Sequence, residues 1–310
     1  MKNLQQTTKI KWQENKNKYR IVTLTYVFMT VFVCWYVQIY LNDILMKQNY
    51  ILTIFLLISW FPFLLGFFIY LFLKIPIKNY LFIPNFSKKI IWAFLIPSIV
   101  ASIAIYISQY LLTINIDEPT LALHMEGDHI ASALFLLFSA WMPAVFYCIV
   151  VSFGFEISLR GFFIEIAKRA SLPFPWLLAG LLQFIILLPF LWFGYLGGGL
   201  QNIRYVFCWL VLLISLSAFN FWLSLPDRKS DAMLKNGLQL NNANRNLVPV
   251  LLAASIQNIV YYVVASRFVI ESGHWWMSGP ANVIAVVLYF LITIFLLTTK
   301  RLKYEYVWIS

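Results

Sequence analysis

The sequence predicts an all-α integral membrane protein, a single bundle of about eight transmembrane helices. Three observations carry this. Of the 310 residues, 62% are hydrophobic and only 11% are charged, a composition outside the range of soluble globular domains. Apolar runs long enough to cross a bilayer recur along the whole chain. The basic residues fall overwhelmingly in alternate connections, as the positive-inside rule requires of a multi-pass protein.

The apolar runs place spans at 21–41, 51–73, 90–112, 131–155, 176–196, 205–225, 247–266 and 281–299. Residues 1–20 form a basic segment before the first span, and 300–310 form a tail after the last. No linker separates two domains, so 21–299 reads as one membrane domain. The first run is long enough to span and no small-residue cleavage site follows it, so it reads as an uncleaved anchor. The polar, Asn-rich stretch 226–245 suits a loop. No internal repeat is visible, which removes one sign of a transporter.

Orientation follows from charge. Lys2, Lys9, Lys11, Lys16, Lys18 and Arg20 precede the first span; Lys74, Lys78, Lys88 and Lys89 follow the second. Arg160, Lys168 and Arg169 follow the fourth, Arg228, Lys229, Lys235 and Arg245 the sixth, and Lys300, Arg301 and Lys303 the last. Only Lys47, Arg204 and Arg267 lie on the other side. Both termini are therefore expected in the cytoplasm of a cell membrane, and an even number of spans agrees. The net charge of +11 needs no nucleic-acid partner, because topology and contact with anionic lipid account for it. Richness in Asn, Lys and Ile points to a bacterium of low GC content.

Metal and cofactor chemistry find little footing. Cys34, Cys148 and Cys208 fall in separate spans without ligand spacing and read as small core residues. The three histidines, His124, His129 and His274, all fall in expected outer loops. The loop 115–128 carries Asp117, Glu118, Glu126 and Asp128, which reads as a solvated loop obeying the charge bias. An intramembrane zinc site needs three protein ligands, and no span supplies them. No metal and no cofactor are expected.

The chemistry-bearing positions are few. Glu156 and Arg160 stand in the run Phe153-Gly-Phe-Glu-Ile-Ser-Leu-Arg-Gly-Phe-Phe163, at the end of the fourth span. Their spacing places both on one helix face, close enough to pair. Ionisable residues at membrane depth mark functional sites by default; the alternative is an arginine that snorkels to the interface beside a structural carboxylate. Gln183, Asn220, Gln257 and Asn258 complete the polar inventory. Each alone reads as an interhelical hydrogen bond of about 1 kcal/mol or less. Together they are expected to face one cavity, because Glu156 and Asn258 lie at depths within about three helical turns of each other.

These residues carry a family resemblance. Phe155-Glu-Ile-Ser-Leu-Arg-Gly161 resembles the Glu-Glu-x-x-x-Arg motif of the CPBP (CAAX protease and bacteriocin-processing) family, also called Abi. Phe155 stands where the family has its first Glu, while Glu156, Arg160 and Gly161 match. Gln183-Phe-Ile-Ile-Leu-Leu-Pro189 resembles the second motif, Phe-x-x-x-His before Leu-Pro, with Leu187 at the His position. Pro249 and Asn258 resemble the last motif, with Ala254 at its His. The resemblance covers about 131–266 and implies an eight-helix fold with Glu156, Arg160 and Asn258 at catalytic positions.

The departures imply a changed role. In the family, the paired Glu and the first His activate water, and the late His and Asn stabilise the oxyanion. This chain lacks one Glu and both His. General-base and oxyanion groups each contribute factors of about 100 or more to rate. The expectation is a non-catalytic CPBP/Abi-type protein that binds membrane-protein or peptide partners, in bacteriocin immunity or as a scaffold for envelope enzymes. An active endopeptidase using Glu156 is the alternative. A small-solute transporter with Glu156 and Arg160 lining the path is a third, disfavoured by the scarcity of charge and of broken helices.

Overall fold

The computed structural model describes residues 2–40, 51–73, 88–112, 142–193, 203–225, 246–259 and 282–302. These are helical, with no strand among the described residues. The elements are α1 (Lys2–Tyr40), α2 (Ile51–Phe72), α3 (Lys89–Leu112), α4 (Met142–Phe155), a π-helical segment (Glu156–Phe163), α5 (Ile164–Arg169), α6 (Pro175–Trp192), α7 (Ile203–Ser224), α8 (Val248–Ile259) and α9 (Val283–Thr298). The stretches 115–128 and 226–245 and all three histidines lie outside the described residues.

Among the described residues, five helices are long and apolar enough to cross a membrane: Lys16–Tyr40, Thr53–Phe72, Val145–Arg169, Pro175–Trp192 and Ile203–Ser224. They are compatible with a multi-pass membrane protein. The other three expected spans hold shorter apolar helices over their described residues, Lys89–Ala104, Val248–Ile259 and Val283–Thr298.

One boundary differs from the sequence reading. The fourth apolar run was expected to stop at Phe155, leaving Arg160 in the connection behind it. Instead α4, the π-helical segment and α5 continue one another to Arg169. Glu156 and Arg160 interrupt the hydropathy, but they neutralise each other within one turn, so the helix carries on. Arg160 is 1% exposed and belongs to the interior, not to a basic connection.

This composite helix is the axis of the fold. In an apolar 18-residue stretch of it, 78% of the residues are buried, against 28% in the corresponding stretch of α1. The π-helical segment touches α2, α6, α7 and α8. Around it, contacts run from α1 to α6, α7, α9, α3 and α8, and from the composite helix through α2 back to α1. Two glycines permit the closest approaches. A Cβ at Gly154 would sit 2.6 Å from the Ser59 carbonyl oxygen on α2, and one at Gly180 would sit 2.8 Å from the Cα of Ile214 on α7. Small residues let helix backbones approach in this way.

Helix α1 also serves two prolines. Pro62 in α2 and Pro189 in α6 have no N–H, so the carbonyls of Ile58 and Ile185 lose their helical donors. The Cys34 thiol donates to the Ile58 oxygen at 3.7 Å, and Trp35 Nε1 donates to the Ile185 oxygen at 2.7 Å. Proline is tolerated in apolar surroundings where a neighbouring helix satisfies the released groups.

Cations gather at one end of the bundle. Arg20 Nε donates to the Ala170 oxygen, and Arg169 bridges Glu165 and the Tyr19 hydroxyl. Lys89 Nζ donates to the Trp222 and Leu225 carbonyls at the close of α7, where a cation complements the helix dipole. Ser217 of α7 donates to the Trp176 oxygen at the start of α6, which brings these groups to the same end.

The direction of α9 departs from expectation. The sequence reading has 205–225 and 281–299 run the same way. Here the Tyr289 ring lies 6.1 Å from that of Phe219 between centroids, while Thr293 donates to the Ser215 oxygen at 3.4 Å. One turn forward on α9 is thus one turn back on α7, so the two are antiparallel. Lys300 and Arg301 follow α9 to the end opposite Lys89 and Arg20. Charge counting assigns a side to each connection but not a direction to a helix whose approach, 260–281, lies outside the described residues.

Candidate functional site

The site is built on the π-helical segment. Its wider turn still leaves Glu156 and Arg160 adjacent: Arg160 Nη1 lies 3.3 Å from Glu156 Oε1. Asn220 of α7 donates from Nδ2 to Glu156 Oε2 at 3.2 Å. Both carboxylate oxygens therefore have partners, one cationic and one neutral. The segment is tied from outside as well. The Tyr26 hydroxyl reaches the Ser158 carbonyl at 3.4 Å, and the Tyr70 hydroxyl reaches the Phe162 carbonyl at 3.5 Å. π-helical turns recur at functional sites, and here one positions the sole ion pair buried on both sides among the described residues.

A cavity of about 80 Å³ opens beside this pair. All six polar residues singled out from sequence line it: Glu156, Arg160, Gln183, Asn220, Gln257 and Asn258. Four helical elements converge to do this, the π-helical segment, α6, α7 and α8. Asn258 donates from Nδ2 to Ser152 Oγ at 2.9 Å, which ties α8 to α4. Phe155, Leu212, Leu213 and Leu216 supply apolar wall. The volume suits a few heavy atoms and falls well below the roughly 300–1,000 Å³ of a drug-sized ligand pocket.

Two positions of the family comparison behave differently. Ala254 lines the cavity, but Leu187 does not; it is buried in the core. On α6 it is Gln183, one turn earlier, that reaches the site. Glu156 is the one carboxylate among the described residues lining the cavity. Among the described residues no three of His, Cys, Asp and Glu come together.

Two lining residues escaped the sequence reading. Ser152 and Trp209 line the cavity, yet in an apolar span a serine or tryptophan passes as a packing residue. The available signal was spacing: Ser152 precedes Glu156 by four residues, which puts it on the same face.

Comparison with family models, with curated proteins and with solved structures finds no match to this chain. The resemblance to the CPBP/Abi family therefore rests on the motif residues themselves.

Proposed function

We propose that the chain is a non-catalytic, multi-pass membrane protein of the CPBP/Abi type, acting by binding membrane proteins or peptides. Bacteriocin immunity and scaffolding of envelope enzymes are the roles the resemblance offers. The observation that carries this reading is the engagement of Glu156. One oxygen faces Arg160 and the other accepts from Asn220. A general base needs an oxygen directed at its water, and usually a second acid–base group to complete the reaction. Ala254 presents only a methyl group to the cavity, and Leu187 is not among its lining residues.

A second reading, an endopeptidase using Glu156 as base, draws on one observation: Glu156, Arg160 and Asn258 line the same cavity. The experiment that separates the two is Glu156→Gln, read as membrane abundance, thermal stability and cellular phenotype together. The binding reading expects lost stability and a matching loss of phenotype. Normal stability with complete loss of phenotype moves the protein to catalysis.

In this reading the protein sits in a bacterial cell membrane with its N-terminus in the cytoplasm. The gathering of Lys16, Lys18, Arg20, Lys89, Lys168 and Arg169 toward one end supports that orientation. The direction of α9 argues for the opposite side for Arg301. Reporter fusions at the two termini test both assignments: a cytoplasmic N-terminus with an external C-terminus is expected, and two cytoplasmic termini would overturn the second.

A further inference from the structure

Two residues that line the cavity each carry a buried polar atom without a hydrogen-bond partner among the described residues: Gln183 Oε1 and Trp209 Nε1. Trp209 is only 5% exposed. Buried polar groups in native proteins are satisfied in more than about nine cases in ten, and an exception calls for an occupant. The two atoms are chemically opposite. An indole N–H only donates, and an amide oxygen only accepts. They stand in a space that has room for a group of a few heavy atoms.

The charges nearby do not call for an ionic occupant. Glu156 and Arg160 neutralise each other, and the second carboxylate oxygen is held by Asn220. An added charge would find no uncommitted counter-charge, and burying it would be costly. What remains is a demand for one acceptor and one donor, flanked by the hydrocarbon of Leu212, Leu213 and Leu216. A secondary or primary amide meets it: its carbonyl accepts from Trp209, its N–H donates to Gln183, and its alkyl neighbours meet the leucines. Gln257 and Asn258, both half-buried on α8, continue the polar lining.

We propose that this cavity receives one uncharged amide group, a peptide bond or an Asn or Gln side chain of a membrane-embedded polypeptide partner. The inference rests on the binding reading above and names the group that is bound.

The test uses the full chain purified in detergent, with N-methylacetamide as the probe and tryptophan fluorescence as the readout. A saturable change is expected. N,N-dimethylacetamide keeps the carbonyl but lacks the N–H, so it should bind at least about tenfold more weakly, since a site built to pair an N–H rejects an analogue without it. Trp209→Phe and Gln183→Leu should each weaken N-methylacetamide by a similar factor. The dimethyl comparison uses unaltered protein, so it holds even where a variant fails to fold. Equal affinity for the two amides overturns the proposal. So does the absence of any saturable change, which leaves water as the occupant. Recovery of the probe after long incubation separates this proposal from the reading beneath it. Intact amide supports both, whereas release of acetate and methylamine would overturn the non-catalytic reading and leave the amide site standing.

Discussion

Gln38 of α1 repairs the break that Pro189 makes in α6. Its Nε2 donates to the Ile186 oxygen at 2.7 Å, and its Oε1 accepts from the Phe190 N–H at 3.2 Å. One side-chain amide thus stands in for a backbone peptide on both sides of the proline. The same Nε2 also reaches the Cys34 oxygen of its own helix at 2.9 Å. Gln38 is 2% exposed, so water cannot take its place.

Gln38→Leu should therefore destabilise the protein by about 1–3 kcal/mol, the cost of leaving buried polar groups unpaired. In a Pro189→Ala background the helix regains its own N–H donor to Ile185, and the helix can close its own ladder. The Gln38→Leu penalty should shrink there. A double-mutant cycle on detergent-solubilised protein measures it, and an undiminished penalty would mean that Gln38 acts elsewhere.

The buried ion pair supplies a second expectation. Glu156 and Arg160 are 4% and 1% exposed. Glu156→Gln or Arg160→Leu each leaves a charge without its counter-charge, a loss of about 3–5 kcal/mol for a truly buried pair. Replacing both with apolar residues should recover much of that loss. Unfolding curves for the three variants give the answer, and a double variant no better than either single would contradict a structural pair.

Gly180 offers a packing prediction. Gly180→Ala puts a methyl against the backbone of Ile214, where a flexible side chain cannot move aside. Overpacking of this kind typically costs about 1–3 kcal/mol. Thermal unfolding should show the shift; a variant as stable as the parent would mean that α6 and α7 separate easily.

The antiparallel arrangement of α7 and α9 is open to cross-linking. With the native cysteines replaced, Ser215→Cys with Thr293→Cys should form a disulfide under mild oxidation. Phe219→Cys with Thr293→Cys should not, because disulfides need Cα atoms within about 7 Å. Ser215→Cys with Tyr289→Cys should likewise fail, and cross-links in both of these failing pairs in place of Ser215 with Thr293 would turn α9 around.

Much was legible in the sequence alone. Composition and run length determine helices at every expected span, because in hydrocarbon a backbone must satisfy its own hydrogen bonds. The polar inventory was legible for the same reason: in so apolar a chain, Glu156, Arg160, Gln183, Asn220, Gln257 and Asn258 are conspicuous. That they line one cavity was an expectation from depth, and depth follows from residue count along a helix. Tertiary structure decided the rest. Hydropathy ended the fourth span at Phe155 because it scores each charge singly, whereas the folded chain cancels Glu156 against Arg160 and continues to Arg169. The roles of Gln38, Trp35 and Cys34 depend on which helix α1 packs against, and no local pattern encodes that. The direction of α9, the absence of Leu187 from the cavity lining, and the atoms of Trp209 and Gln183 without partners among the described residues likewise arise only when α6, α7, α8 and α9 meet. Sequence sets what each helix can bury; only packing sets what it buries it against.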